Sequence, residues 1–165
     1  MTMSNDTGAE FSPCRRYRYR LWRTWDDSKE KCCFIMLNPS TADEATNDPT
    51  VERCERRARA WGYGGLIVVN LFAMRSTDPK ALYAEADPVG PKNMVAIQQA
   101  AIDSAIVVAA WGTHGALHGQ GEQVAARLRR DFPDKARALR VNKDGSPAHP
   151  LYLPYTLGPR RWCNR

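Results

Sequence analysis

The sequence predicts a single α/β domain: a three-layer α/β/α sandwich around a central, largely parallel sheet, with an N-terminal β-hairpin. Three observations carry this. Short continuous apolar runs recur at residues 32–37, 66–69 and 105–110, as in strands covered on both faces. Segments of helical spacing separate them, which implies right-handed crossovers between parallel strands. A length of 165 residues suits one core and not two.

Residues 1–13 are polar, with neither a basic n-region nor an apolar stretch, so a disordered tail is expected ahead of a domain over residues 14–165, not a signal peptide. Residues 15–25 alternate, with Tyr17, Tyr19 and Leu21 on one face and Arg16, Arg18, Arg20 and Trp22 on the other, which predicts a strand. The polar stretch 26–31 turns into the run 32–37, so these two strands are expected to pair as a hairpin. Residues 50–61 form a helix in this reading, with Val51, Cys54, Ala58 and Trp61 inward and Arg53, Arg56, Arg57 and Arg59 mostly outward. Gly62, Gly64 and Gly65 end it. A strand over 66–69 runs into Asn70-Leu71-Phe72, and a loop rich in Asp and Pro extends to about residue 91. A helix over 92–103, a strand over 105–110, a helix over 121–131 and a last strand over 138–142 complete the order.

Composition narrows the class. Hydrophobic residues at 43% and charged residues at 25% are ordinary for a globular chain, and no apolar run reaches the roughly 20 residues that span a bilayer. A soluble, cytoplasmic, monomeric protein without a membrane partner is expected. Five cysteines, with Cys32 and Cys33 adjacent and no CxxC pair, read as reduced packing residues. No metal or cofactor is expected, and His114 and His118 read as surface residues. The net charge of +6 favours an anionic partner, with nucleic acid the first candidate.

In open α/β sheets ligands bind beyond the carboxyl ends of the strands. Those ends carry Asn38-Pro39-Ser40-Thr41-Ala42-Asp43, then Asn70-Leu71-Phe72, then Trp111-Gly112-Thr113-His114, and last the loop Ala148-His149-Pro150-Leu151-Tyr152. All four are expected on one edge.

The order of these motifs resembles the uracil-DNA glycosylase superfamily, whose members carry a first loop of the GQDPYH or GINPG type and a late HPSPLS-type loop. Leu37-Asn38-Pro39-Ser40 is similar to the first loop, and Gly65-Leu66-Ile67-Val68-Val69-Asn70 to a strand ending in a base-reading Asn. Residues 107–115 are similar to that family's strand ending in Trp-Gly, and Ala148-His149-Pro150-Leu151 to its final loop. From Cys14 to Trp162 the chain more closely resembles the DUF1643 family, through its MLNPSTAD, NDPT, GYGG, NLFA and HPLYL segments. Three departures stand out. Ser40 stands where some glycosylases have Tyr, Asn38 where the most active members have Asp, and HPLYLP where the family has HPSPLS.

The resemblance implies a DNA glycosylase-like hydrolase that flips uracil or a modified base and cleaves its N-glycosidic bond. That chemistry builds positive charge on the sugar and negative charge on the departing base, so the site must serve both. Asn38 would hold the water, since an amide cannot act as general base, with Asp43 or Asp48 assisting. Asp48 also fits the N-cap of the following helix. His149, when neutral, would donate to the developing oxyanion of the base. Pro39, Ser40, Thr41, Asn70, Phe72, Trp111 and Gly112 would line the base pocket, with Asn70 reading the base edge and Phe72 or Trp111 stacking. Pro150, Leu151 and Tyr152 would contact DNA or act as the wedge. Two alternatives stand beside this: a non-catalytic reader of modified bases, and an enzyme acting on free nucleotides or nucleosides.

Overall fold

A computed structural model describes residues 5–162. Its strands are β1 (Asp6–Phe11), β2 (Arg18–Thr24), β3 (Lys31–Met36), β4 (Gly65–Asn70), β5 (Ile106–Ala109), β6 (Ala136–Ala138) and β7 (Arg160–Arg161). They form one sheet in the order β1-β2-β4-β3-β5-β6-β7. The helices are α1 (Pro49–Ala60), α2 (Ala81–Ala84), α3 (Asn93–Ile102) and α4 (Gln120–Asp131). No described helix is long and apolar enough to cross a membrane.

The sheet is mixed. Strands β4, β3, β5 and β6 run parallel, while β1 on β2, β2 on β4 and β7 on β6 are antiparallel pairs. The four parallel central strands match what the apolar runs predict, but three of the six pairings are antiparallel, so the sheet is not largely parallel as expected. The last strand, predicted over 138–142, is not found there: β6 ends at Ala138, and β7 over Arg160–Arg161 closes that edge.

The expected hairpin between residues 15–25 and 32–37 does not form, because β4 lies between β2 and β3. The intervening turn wraps the entry of β4: Trp25 and Asp26 both donate to the Gly64 carbonyl at 3.0 Å, and Gly64 donates back to Glu30 at 2.8 Å. A Cβ at Gly64 would sit 1.9 Å from the Asp26 carbonyl oxygen, so only glycine allows that approach. The second antiparallel partner of β2 is β1, which occupies residues expected to belong to a disordered tail. Its polar sequence, with half of its residues exposed, suits an edge strand, where alternation is weak and easily taken for a tail. Residues 1–4 of that tail lie outside the described residues.

The central strands are apolar without alternation because both faces are covered. Cys33, Ile35, Ile67, Val69, Val107 and Ala109 pack towards α3 and α4, while Cys32, Phe34, Met36, Leu66, Val68 and Val108 pack towards α1. Burial of the thiols pushes the Cys33 pKa up to about 12 and raises those of Cys32 and Cys54 well above the ordinary value. Cys32, Cys33 and Cys54 are free, buried packing residues, whereas Cys14 is free and exposed.

The topology fixes where a ligand can approach. The chain leaves β3 through α1 on one face and leaves β5 through α4 on the other. In open α/β sheets, neighbouring strands that diverge to opposite faces, as β3 and β5 do, mark the carboxyl-end edge at which a ligand crevice forms.

Candidate functional site

Asn38 follows β3 at that crevice. Its Nδ2 donates to the carbonyls of Ser76 at 2.9 Å and Pro39 at 3.2 Å, and Ser76 N–H donates back to the Pro39 carbonyl at 2.9 Å. The amide nitrogen is therefore spent on holding the turn. Its Oδ1 has no partner among the described residues and is not sealed from the surface. Pro39 is buried, Ser40 half-buried and Thr41 exposed.

The two carboxylates of the following loop are organisers. Asp43 Oδ1 accepts the backbone N–H groups of Ala45 at 3.0 Å and Thr46 at 2.8 Å, which holds its carboxyl below the usual range. Asp48 Oδ1 accepts Val51 N–H at 2.9 Å as the N-cap of α1, and its Oδ2 accepts Ala42 N–H at 3.3 Å. Pro49 then opens α1 with the fixed φ that a first helical turn accepts.

His149 reaches the crevice from the late loop. Gly112 N–H donates to the Pro147 carbonyl and Ala148 N–H to the Arg140 carbonyl, each at 2.8 Å, so the loop is tied to the ends of β5 and β6. Gly112 has φ +74°, a region that favours glycine, and its Cα faces the His149 Cβ. The His149 Nδ1 accepts Leu151 N–H at 3.2 Å, which places the proton of the neutral ring on Nε2. Burial lowers the His149 pKa, opposed by the nearby Asp48 carboxylate, so the neutral ring prevails at pH 7. Nε2 has no partner among the described residues and is not sealed from the surface. Beyond it Pro150 is buried and Leu151 half-buried, whereas Tyr152 is 88% exposed at φ +69°.

The remaining expected site residues point inward. Asn70 is 1% exposed, and its Oδ1 accepts from Arg18 Nη2 at 3.2 Å. Phe72 is fully buried, and Trp111, 4% exposed, lies edge-on to Trp162 at 5.4 Å. Neither ring offers a free face, and Asn70 lies beneath the edge instead of on it. Three hollows, between α3 and α4, over the β1–β2 edge and at the β6–β7 edge, are not lined by Asn38, Asn70 or His149.

Three arginines are structural, among them Arg57, which its helical spacing assigns to the outer face. Arg18, 2% exposed, donates to the Ala42 carbonyl at 3.2 Å as well as to Asn70, and desolvation lowers its pKa to about 10. Arg23 donates to the Asp43 carbonyl at 2.7 Å and to Asn47 Oδ1 at 2.9 Å. Arg57, 1% exposed, donates to the carbonyls of Leu153 at 2.9 Å and Pro154 at 3.2 Å and so clasps the late loop to α1. The spacing holds a signal for Arg57, which follows Cys54 by three residues and so borders the buried face. None marks Arg18, because a strand's alternation assigns a face without saying what covers it.

The edge thus presents a neutral imidazole N–H, an amide oxygen that accepts, and an exposed tyrosine on a constrained turn. The imidazole N–H can donate a hydrogen bond to a ligand or water, and the amide oxygen can accept one. Both carboxylates beside it, Asp43 and Asp48, are engaged by backbone N–H groups.

A family model described as "Protein of unknown function (DUF1643)" matches residues 18–151. No curated protein matched the chain, and no solved structure did.

Proposed function

The chain belongs to the DUF1643 family, and we propose that it is a DNA glycosylase-like hydrolase that holds a flipped uracil or modified base at the crevice between β3 and β5. The parallel order β4-β3-β5-β6, with helices on both faces, supports a three-layer fold of the uracil-DNA glycosylase type. The observation that carries the reading is His149: a neutral ring whose Nε2–H is free, beside Gly112 and three residues before the exposed Tyr152.

In the cleavage step the bond from C1′ to the base nitrogen breaks, and its electron pair leaves with the base. The Nε2–H of His149 donates a hydrogen bond to the base oxygen that takes up the charge. A water held by Asn38 Oδ1 adds to C1′ and releases its proton to solvent. Tyr152 would fill the space the flipped base vacates.

The non-catalytic reader of modified bases is the second reading, favoured by the engagement of both Asp48 oxygens with backbone N–H groups. The test is incubation of the protein with duplexes carrying uracil, mispaired or hypermodified bases, followed by alkaline cleavage. Abasic product that falls in Asn38→Ala and His149→Ala supports the hydrolase. Absence of product from every duplex defeats it, as does undiminished product in both variants.

A further inference from the structure

We propose that the hollow at the β6–β7 edge is a binding site for the phosphate backbone of a nucleic acid strand. Its volume is about 490 Å³; Arg140, Arg160 and Arg161 stand on its rim, and Leu139, Leu157 and Trp162 form its apolar floor.

The three rim arginines differ from those that build the fold. Arg18, Arg23 and Arg57 are buried, and their Nη groups donate to carbonyl and amide oxygens of the fold. Arg140 and Arg160 are exposed, and neither side chain has a partner among the described residues. Arg161 meets only Asp134, at 3.7 Å between side chains 63% and 89% exposed, an ion pair worth little in water. Among the described residues no carboxylate lines the hollow. Among the described residues Asp134 is the one carboxylate that pairs with any of the three guanidinium groups, so they leave positive charge that a phosphate can neutralise. Each planar fork also fits two oxygens of one phosphate.

A polymer is favoured over a small anion by where the hollow sits. Arg140 follows the carboxyl end of β6, and its carbonyl accepts Ala148 N–H at 2.8 Å, one residue before His149. Leu157 lies near the end of the same connection and Arg160 opens β7 after it, so the hollow and His149 are built on one continuous segment between β6 and β7. A strand with one nucleotide at His149 would run its next phosphates along the rim, with sugars over the apolar floor. This placement rests on the reading of the His149 edge as a base site.

The experiment measures anisotropy of a labelled, unmodified DNA duplex of about 20 base pairs between about 50 and 300 mM KCl, a range over which phosphate neutralisation shows as a slope. It compares the wild type, the triple variant Arg140→Gln, Arg160→Gln, Arg161→Gln, and a control of equal charge, Lys29→Gln, Lys92→Gln, Arg130→Gln. At about 100 mM KCl the rim variant is expected to bind about tenfold more weakly, and its log–log salt slope to fall by up to about 2.7, or about 0.9 for each phosphate no longer neutralised. The control is expected to stay near the wild type. Single Arg140→Gln and Arg160→Gln variants, whose native side chains bond to nothing else among the described residues, should each show part of the fall in slope. Equal weakening in both triple variants overturns the proposal, as does an unchanged slope in the rim variant. So does an absence of duplex binding while inorganic phosphate raises the melting temperature of the wild type but not of the rim variant, or displacement of the duplex by polyglutamate at equal charge. Duplex binding that depends on the rim without release of any base upholds the inference while defeating the hydrolase reading.

Discussion

Arg18 donates to Asn70 Oδ1 at 3.2 Å where the start of β2 lies against the end of β4, and both side chains are sealed from solvent. The pair couples the strand end to the Asn38 loop, because the same guanidinium holds the Ala42 carbonyl. Arg18→Ala should destabilise the fold by about 3 kcal/mol, since it strands two buried acceptors and leaves a cavity. Asn70→Ala should cost about 2 kcal/mol, as it removes one buried partner of that guanidinium. The double variant should cost less than the sum by about 1 kcal/mol, measured from urea midpoints, because each change removes the same hydrogen bond.

Arg57 makes a different kind of bond, from helix to loop. Arg57→Ala should lower stability by about 3 kcal/mol, and Arg57→Lys by at least about 1 kcal/mol, because one ammonium cannot reproduce a fork across several carbonyls. Hydrogen exchange of the amides in residues 150–158 should accelerate in both variants. Unchanged exchange there would mean that the loop holds itself.

How much of this is legible beforehand follows from what a sequence pattern encodes. Runs such as Cys32-Cys33-Phe34-Ile35-Met36 state that a strand is covered on both sides, and the parallel centre follows. Which strand lies beside which is not encoded locally: β4 inserts between β2 and β3 as the turn at Asp26 closes on Gly64, a relationship between residues distant in the chain. At the site, the gathering of strand ends on one edge follows from topology alone, and Asp48 as the N-cap follows from Asn47-Asp48-Pro49-Thr50. The inward burial of Asn70, Phe72 and Trp111 does not follow, because a residue just past a strand can face the ligand or the core with the same spacing.

Asp48 serves two roles that substitutions separate. Asp48→Ala should cost about 1–2 kcal/mol by removing the cap, whereas Asp48→Asn keeps an acceptor for Val51 N–H and should cost less than about 1 kcal/mol. Loss of the negative charge in Asp48→Asn should also lower the His149 pKa further, because Asp48 is the group that raises it. Titration of the His149 ring signal by NMR checks that sign.

The folded state holds His149 below its ordinary value of 6.5, so below that pH the unfolded chain binds more protons than the folded one. The stability that the neutral ring contributes is therefore complete above pH 6.5 and declines as pH falls through the folded value. Acidification from about pH 7 to about pH 5 should destabilise the wild type more than His149→Gln, in thermal melts taken across that range. Equal declines would mean that folding leaves the His149 pKa where it is in the unfolded chain.

Tyr152 combines 88% exposure with φ +69°, a conformation that costs a residue with a Cβ on the order of 1 kcal/mol and that no burial of the ring offsets. Tyr152→Gly should therefore leave stability unchanged or raise it by up to about 1 kcal/mol, the relief of strain being set against the greater freedom of glycine in the unfolded chain. Tyr152→Ala keeps the strain and removes only the ring, so its melting temperature should match the wild type. If the ring is the wedge beside the flipped base, both variants should bind DNA containing a mismatch or an abasic site at least several-fold more weakly, while unmodified duplex, held by its phosphates, is bound nearly as before. Equal weakening on all duplexes would make Tyr152 a general DNA-binding residue, and no weakening on any would leave the strained turn serving the path of the loop alone.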